Sequence, residues 1–458
     1  MKTGSVPAEQ PETGSAVQPQ VPAATLPARS GPGLGWDIWI LTACQFFYYI
    51  GMSIDLTLTA IVGLRVAPTL ALATVPLGAM SVVAVTASYG AGVLASRFGY
   101  TKVLVAGAAA AVTGGLVSVW AVEIHSFPML CAGTATVGLY KSTGGYFRFL
   151  AADRSPADRR NQAISAVLLG GVAAAVVGPL LATGSSHLLG VVFAASYLMV
   201  ACVAAPVIPL ILMLRRNPAA QPAAQPAEAA RPAAQPAEAD EPAAQPAEPA
   251  GAPPGGVLAP VPIRAVARLP VFQQALGLLL VAQGVMMLVM STAPLVNMTA
   301  GHSMSDNTTM VQLHLMGMFV PSLFSGRLVT RWGAGRTGLA GTALMASGTL
   351  VGAFGTQPFE LMTAMALVGV AWNIMYVAGT ALVVSCYQPG RGGRVQAASE
   401  GLSGAFAALA SISSSAVLSL VGWNALNAIA TSIALVLLLW LSQLRQNAGL
   451  VGAPQAGA

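Results

Sequence analysis

"GVLASRFGYTK" at residues 92–102 and "GRLVTRWGAGR" at residues 326–336 decide how this chain folds. Under a shift of 234 positions Gly92 meets Gly326, Leu94 meets Leu328, Arg97 meets Arg331, Gly99 meets Gly333, and Lys102 meets Arg336. Each tract lies between two long apolar runs, so each reads as a short basic turn joining two helices. The same shift pairs "RNQAIS" at 160–165 with "RVQAAS" at 394–399, and Gly170 with Gly404. Alanine-rich helices resemble one another by chance, but these matches include arginine and glutamine between helices. The chain therefore reads as a duplicated unit.

Composition names the solvent. Of 458 residues, 55% are hydrophobic and 8% charged, and mean hydropathy is +0.71. A water-soluble fold of this size cannot hide so much apolar side chain and still cover its surface. Apolar runs long enough to cross about 30 Å of hydrocarbon resolve the conflict. They fall at about 38–62, 71–95, 103–122, 129–150, 163–183 and 189–213, then 270–294, 309–329, 338–355, 360–385, 398–420 and 425–444. The expected fold is an all-α polytopic membrane protein of 12 transmembrane helices in two six-helix, pseudo-symmetric bundles. Small residues stud these runs, as close helix packing in lipid requires.

The net charge of +6 is spread through short segments between spans, which excludes a nucleic-acid partner. With the N-terminus inside, Arg97, Lys102, Arg154, Arg159, Arg160, Arg215, Arg216, Arg331, Arg336, Arg391 and Arg394 all fall in cytoplasmic loops. The outer loops keep only Arg65, so both termini are expected in the cytoplasm. The domain boundaries follow: a disordered tail at 1–36, bundles at 37–214 and 263–446, a linker at 215–262, and a tail at 447–458. The linker repeats "PAAQPAE" and reads as a semi-flexible tether. Cys44, Cys131, Cys202 and Cys386 lie inside predicted spans without a CxxC spacing, and read as buried structural thiols. No phosphate-binding loop, metal-spaced His/Cys cluster or nucleophile with a placed base occurs. No enzyme activity, cofactor or metal is expected.

Two six-span halves, a long central loop and the tract at 92–102 resemble the major facilitator superfamily of secondary transporters. The family pattern Gly-x-Leu-Ala-Asp-Arg-x-Gly-Arg-Arg/Lys is met at Gly92, Leu94, Ala95, Arg97 and Gly99; Ser96 stands where Asp is usual, and Tyr100 and Thr101 where basic residues are usual, with Lys102 supplying a later positive charge. The resemblance implies that Gly92, Arg97, Gly99, Lys102, Gly326, Arg331, Gly333 and Arg336 form conformational gate loops. Glu400, near the start of span 11, is the expected replacement for the missing acid. "YFRFLAAD" at 146–153, "GGVAAAVVGP" at 170–179 and "HLMGMFVPSLFSGRL" at 314–328 resemble a bacterial permease subgroup with riboflavin-transporter-like members.

Charges inside a span are costly, so the few present are functional candidates. Asp55 in span 1 and Lys141 in span 4 stand out, on helices that line the central cavity in the superfamily. Gln45, Tyr48, Met52 and Asp55 share one helical face, with Tyr49 beside them; Thr134, Gly138, Lys141, Gly145 and Arg148 form a second stripe. Span boundaries set Asp55 and Lys141 roughly 10 Å apart along the membrane normal. An ion pair, a coupling site and separate snorkelling stay open. Asp55 is the only acidic residue placed well inside a span, and so the candidate for proton coupling. Span 7 aligns Gln283, Met287, Met290, Pro294 and Asn297, and span 10 adds Trp372, Asn373 and Tyr376. Amides and rings suit a neutral planar solute. His314 reads as interfacial.

The expected function is secondary active transport of a small organic solute by alternating access. The expected setting is a monomer in the bilayer of a bacterial inner membrane, coupled to protons, with a riboflavin-like or other aromatic metabolite as substrate. Multidrug or metabolite efflux by antiport, and a transport-inactive sensor or scaffold, are the alternatives.

Overall fold

In hydrocarbon no water can satisfy a peptide group, so a spanning chain must close its own hydrogen bonds. The computed structural model describes residues 35–156, 159–214, 263–387 and 392–451. The linker at 215–262 and nearly all of the N-terminal tail lie outside the described residues, as do Arg215, Arg216 and Arg391. Among the described residues the secondary structure is helical, without a strand.

The first half comprises α1 (Trp36–Val66), a 3-10 turn (Leu70–Leu72), α2 (Val75–Phe98), α3 (Tyr100–Glu123), α4 (Phe127–Lys141), α5 (Tyr146–Asp153), α6 (Arg160–Gly184), α7 (Ala194–Ala204) and α8 (Val207–Leu212). The second comprises α9 (Ile263–Val266), α10 (Pro270–Thr299), α11 (Met304–Phe319), α12 (Ser322–Trp332), α13 (Ala334–Phe354), α14 (Pro358–Val384) and α15 (Gly393–Val451). Among the described residues nine stretches are long and apolar enough to cross a membrane, α7 and α8 counting together as Ala194–Leu212. Gly422, at φ 76° and ψ 172°, divides α15 in two. With α4–α5, α7–α8 and α11–α12 taken as interrupted spans, the order is consistent with twelve passes.

The interruptions have local causes. Pro321 and Pro206 bring no backbone N–H to the ladder, and α12 and α8 begin just after them. Between α4 and α5 the run Ser142-Thr143-Gly144-Gly145 favours turns over helix. There the Ser142 and Thr143 hydroxyls donate back to the Leu139 and Tyr140 carbonyls at 2.6 and 2.8 Å.

The duplicated tracts fold alike. Gly99 sits at φ 86°, ψ 152° between α2 and α3, and Gly333 at φ 81°, ψ 148° between α12 and α13. Each single residue ends one helix and starts the next. Arg97, Lys102, Arg331 and Arg336 are exposed around these turns, on what we call the arginine-rich face. Among the described residues none of the four forms an ion pair.

The halves meet where α1 packs on α10 and α11, α2 on α15, and α6 on α11. A methyl group on Gly78 of α2 would overlap Ile412 of α15, so only glycine allows that approach. Trp120, Leu439 and Val436 stay 61–67% exposed, facing outward where lipid lies. Of the cysteines, Cys44 is buried, Cys131 and Cys386 are half-buried, and Cys202 is exposed. The expectation of four buried thiols is corrected: the apolar spacing that marks a span does not say which side of the helix meets lipid.

Ala in place of Gly99 or Gly333 meets no neighbouring atom within 4 Å, so its cost is backbone strain alone. A non-glycine residue held at positive φ with extended ψ costs roughly 1–3 kcal/mol. Gly99→Ala and Gly333→Ala are each expected to lower the melting temperature in detergent. Gly90→Ala, at an open helical position, is expected not to lower it. Equal melting of all three variants would refute the strain argument.

Candidate functional site

Two aromatic groups face each other where the halves join. On α1, Tyr49 meets Phe319 at the end of α11, with centroids 4.9 Å apart and planes at 74°. On α14, Trp372 and Tyr376, one helical turn apart, lie nearly parallel at 5.1 Å and 10°. Trp372 donates its Nε1–H to Gln283 of α10 at 3.3 Å, which fixes the indole plane. Gln45, one turn before Tyr49 on α1, lies beside the Tyr49 hydroxyl.

Two charges join this group: Arg148, from the span 4 stripe, and Glu400, which the sequence suggested only as a replacement acid. Arg148 of α5 is within electrostatic reach of Tyr49, Tyr376 and Glu400. Its Nε is enclosed and has no hydrogen-bond partner among the described residues. Glu400 of α15 accepts the Tyr376 hydroxyl on Oε1 at 3.3 Å. Glu400 lies about 10 Å into α15, at 1.5 Å per residue, so it is a second acid inside a span. It accepts from Tyr376 and lies within electrostatic reach of Arg148.

Other candidates sit elsewhere. Asp55, 1% exposed, accepts Thr59 on Oδ1 at 3.3 Å, while Tyr197 of α7 donates to Thr59 at 3.2 Å. Lys141 donates to Ser81 of α2 at 3.5 Å. Asp55 and Lys141 feel each other electrostatically but form no direct ion pair. Asp55 Oδ2 has no hydrogen-bond partner among the described residues. This couple belongs to the inside of the first half. Tyr48 lies beside it, packed against Tyr140 and Phe147, and donates to the Lys141 carbonyl at 3.2 Å.

In the second half Met287 is buried in the core, and Asn297 donates to the Ser303 carbonyl at 3.1 Å, beyond the membrane-spanning middle of α10. Asn373 braces the break between α11 and α12, donating to the Met318 carbonyl and the Ser322 hydroxyl, both at 2.8 Å. His314 is fully buried, with Nδ1 2.9 Å from the Met365 carbonyl, which corrects its expected interfacial place. Its partner comes from α14 and is invisible in the sequence around it.

Away from the arginine-rich face the halves are stitched by polar contacts. Thr74 meets Ser415 and Ser414 at 2.9 and 3.0 Å, and Ser415 donates to the Ala71 carbonyl at 2.8 Å. Asn307 donates to Thr57 O at 3.3 Å, Gln312 to Val176 O at 2.7 Å, and Thr183 pairs with Thr308. On the arginine-rich side α5, α8, α9 and α12 have no comparable packing against the opposite half.

The arrangement supplies flat apolar faces, an amide, one cation and one carboxylate between two bodies. Comparison with known proteins bears on the family and the fold. The sequence model described as Major Facilitator Superfamily matches residues 38–320 and 305–455. The riboflavin transporter RfnT of Brucella anthropi is 28% identical over 392 residues, 85% of this chain and 91% of the relative. The uncharacterized MFS-type transporter YdeG of Bacillus subtilis is 24% identical over 76% of this chain and 77% of its own. Among solved structures the nucleoside transporter NupG superposes with TM-score 0.66 at 14% identity, covering 89% of this chain and 99% of that one. The human organic anion transporter MFSD10 gives TM-score 0.59 at 14% identity, covering 88% and 98%.

Asn373→Ala would leave the Met318 carbonyl without its amide donor. An orphaned buried group costs about 1–3 kcal/mol, so a clear fall in melting temperature is expected. An unchanged melting curve would remove the bracing role.

Proposed function

Because this chain belongs to the major facilitator superfamily and moves a small solute across a membrane, we propose that the solute is a planar aromatic metabolite of the riboflavin type. One observation carries the reading: the parallel Trp372 and Tyr376 rings, fixed by Gln283, with Tyr49 of the first half within electrostatic reach of Tyr376 and packed on Phe319. Aromatic faces bind a flat ring system through stacking, and the amide and charges orient its polar edge. The riboflavin transporter relative, matched over most of both chains, supports the same substrate class.

Transport proceeds by alternating access. The seam through Thr74, Ser414, Ser415 and Asn307 holds one side shut, while the aromatic group is reached from the arginine-rich side. By the positive-inside rule that side is the cytoplasm of a bacterial inner membrane, with both termini in it and the chain acting as a monomer. The opposite state requires the polar seam to part and the arginine-rich loops to meet. Protons drive the cycle through Asp55, a carboxylate 1% exposed beside Lys141.

Expression in a host lacking its own riboflavin uptake tests the substrate. Growth rescue and accumulation of labelled riboflavin are expected. Trp372→Leu should weaken apparent affinity about tenfold, the scale of one lost stacking contact. No movement of riboflavin in either direction would sink the substrate assignment.

Coupling has its own measurement. Asp55→Asn should abolish uphill accumulation driven by a pH gradient in liposomes, while exchange of labelled for unlabelled solute continues. Uphill transport at wild-type level would show that the proton travels elsewhere.

A further inference from the structure

Arg148 and Glu400 come from opposite halves and face one another without meeting. Arg148 is held on α5, whose Tyr146, Phe147, Leu150 and Ala151 are buried and fix the helix. The guanidinium presents five N–H donors in a planar fork and accepts nothing. Its Nε has no hydrogen-bond partner among the described residues, and the guanidinium carbon lies 5.4 Å from the Phe149 ring centroid. Glu400 has Oε1 engaged by Tyr376, and Oε2 carries no hydrogen bond among the described residues. An ion pair between Arg148 and Glu400 is not formed.

Tyr376 joins this charged pair to the aromatic wall. It stacks on Trp372 and donates to Glu400, so a ring lying against that stack has its edge beside the carboxylate. Arg148 is within electrostatic reach of Tyr376, Tyr49 and Glu400. The site thus offers a flat face with a donor group and an acceptor group at its rim.

We propose that Arg148 and Glu400 recognise a cyclic imide edge, the –CO–NH–CO– unit that a flavin ring carries on its pyrimidine side. Arg148 donates N–H bonds to a ring carbonyl oxygen. The imide N–H donates to Glu400 Oε2. An acid alone repels the two carbonyl oxygens, and a cation alone leaves the imide N–H unpaired, so the two residues together select the edge. Because they belong to different halves, the ligand edge bridges the two bodies that must move together in the cycle. The inference rests on the riboflavin-type reading above and adds the atoms that read the ligand.

Riboflavin and its N3-methyl derivative, which keeps both carbonyls but lacks the imide hydrogen, separate the possibilities. Binding of each to the full-length protein in detergent is followed by quenching of flavin fluorescence. Wild type should prefer riboflavin by about tenfold or more, the penalty for leaving a charged acceptor unpaired. Glu400→Ala should erase the preference by weakening riboflavin alone; unchanged affinity for the methyl derivative shows that the variant is folded. Glu400→Gln, which keeps an acceptor oxygen, should retain a reduced preference, and it decides the matter if the alanine variant does not fold. Arg148→Gln should weaken both ligands together. A preference that survives Glu400→Ala, or a wild type that binds both flavins equally, overturns the imide assignment and leaves the flavin reading standing. A wild type that binds neither flavin overturns both.

Discussion

A peptide carbonyl left without a donor in hydrocarbon costs several kcal/mol, and the structure is arranged around that penalty. Helices discharge it along most of the chain. Where a span loosens, a side chain from a neighbour takes over: Tyr48 donates to Lys141 O at the α4–α5 junction, and Asn373 to Met318 O at the α11–α12 break. These two breaks are also where functional side chains gather. Arg148 follows the first, and Phe319 ends the helix before the second. Irregular backbone survives in a membrane only where protein encloses it, so the breaks and the solute path share one neighbourhood.

The division of polar groups follows from the same constraint. Asp55, Thr59, Tyr197, Lys141 and Ser81 stay within one half, where their mutual geometry is unaffected by the other half. Arg148, Glu400, Tyr49 and Phe319 are split across the junction, where relative motion of the halves changes what each touches. Helix α1 carries a residue of each group, Asp55 of the first and Tyr49 of the second.

The turns at Gly99 and Gly333 were legible because a glycine with positive φ followed by a new helix is a local instruction, and it is written twice at the same offset. The aromatic and amide character of the second-half wall was also legible, since Gln283, Trp372 and Tyr376 follow helical spacing on their own spans. The Arg148–Glu400 relation was not. Neither residue is the repeat image of the other, and a helical stripe gives height and rotation on one span without naming what lies opposite. The same limit explains Asn373, which reads as a cavity amide by spacing and proves to brace a break three-dimensionally remote from its own sequence neighbours.

The corner at Gly422 joins two long helical segments through a single non-helical residue. Trp423 and Asn424 pin it to the end of α13 through the Gly355 and Ala353 carbonyls at 3.1 and 3.0 Å. Beyond the corner the second segment carries Ile429, Val436 and Trp440, which edge a lipid-side groove against Gly277. A movement of either segment at this corner would therefore change the shape of a surface that faces acyl chains rather than water.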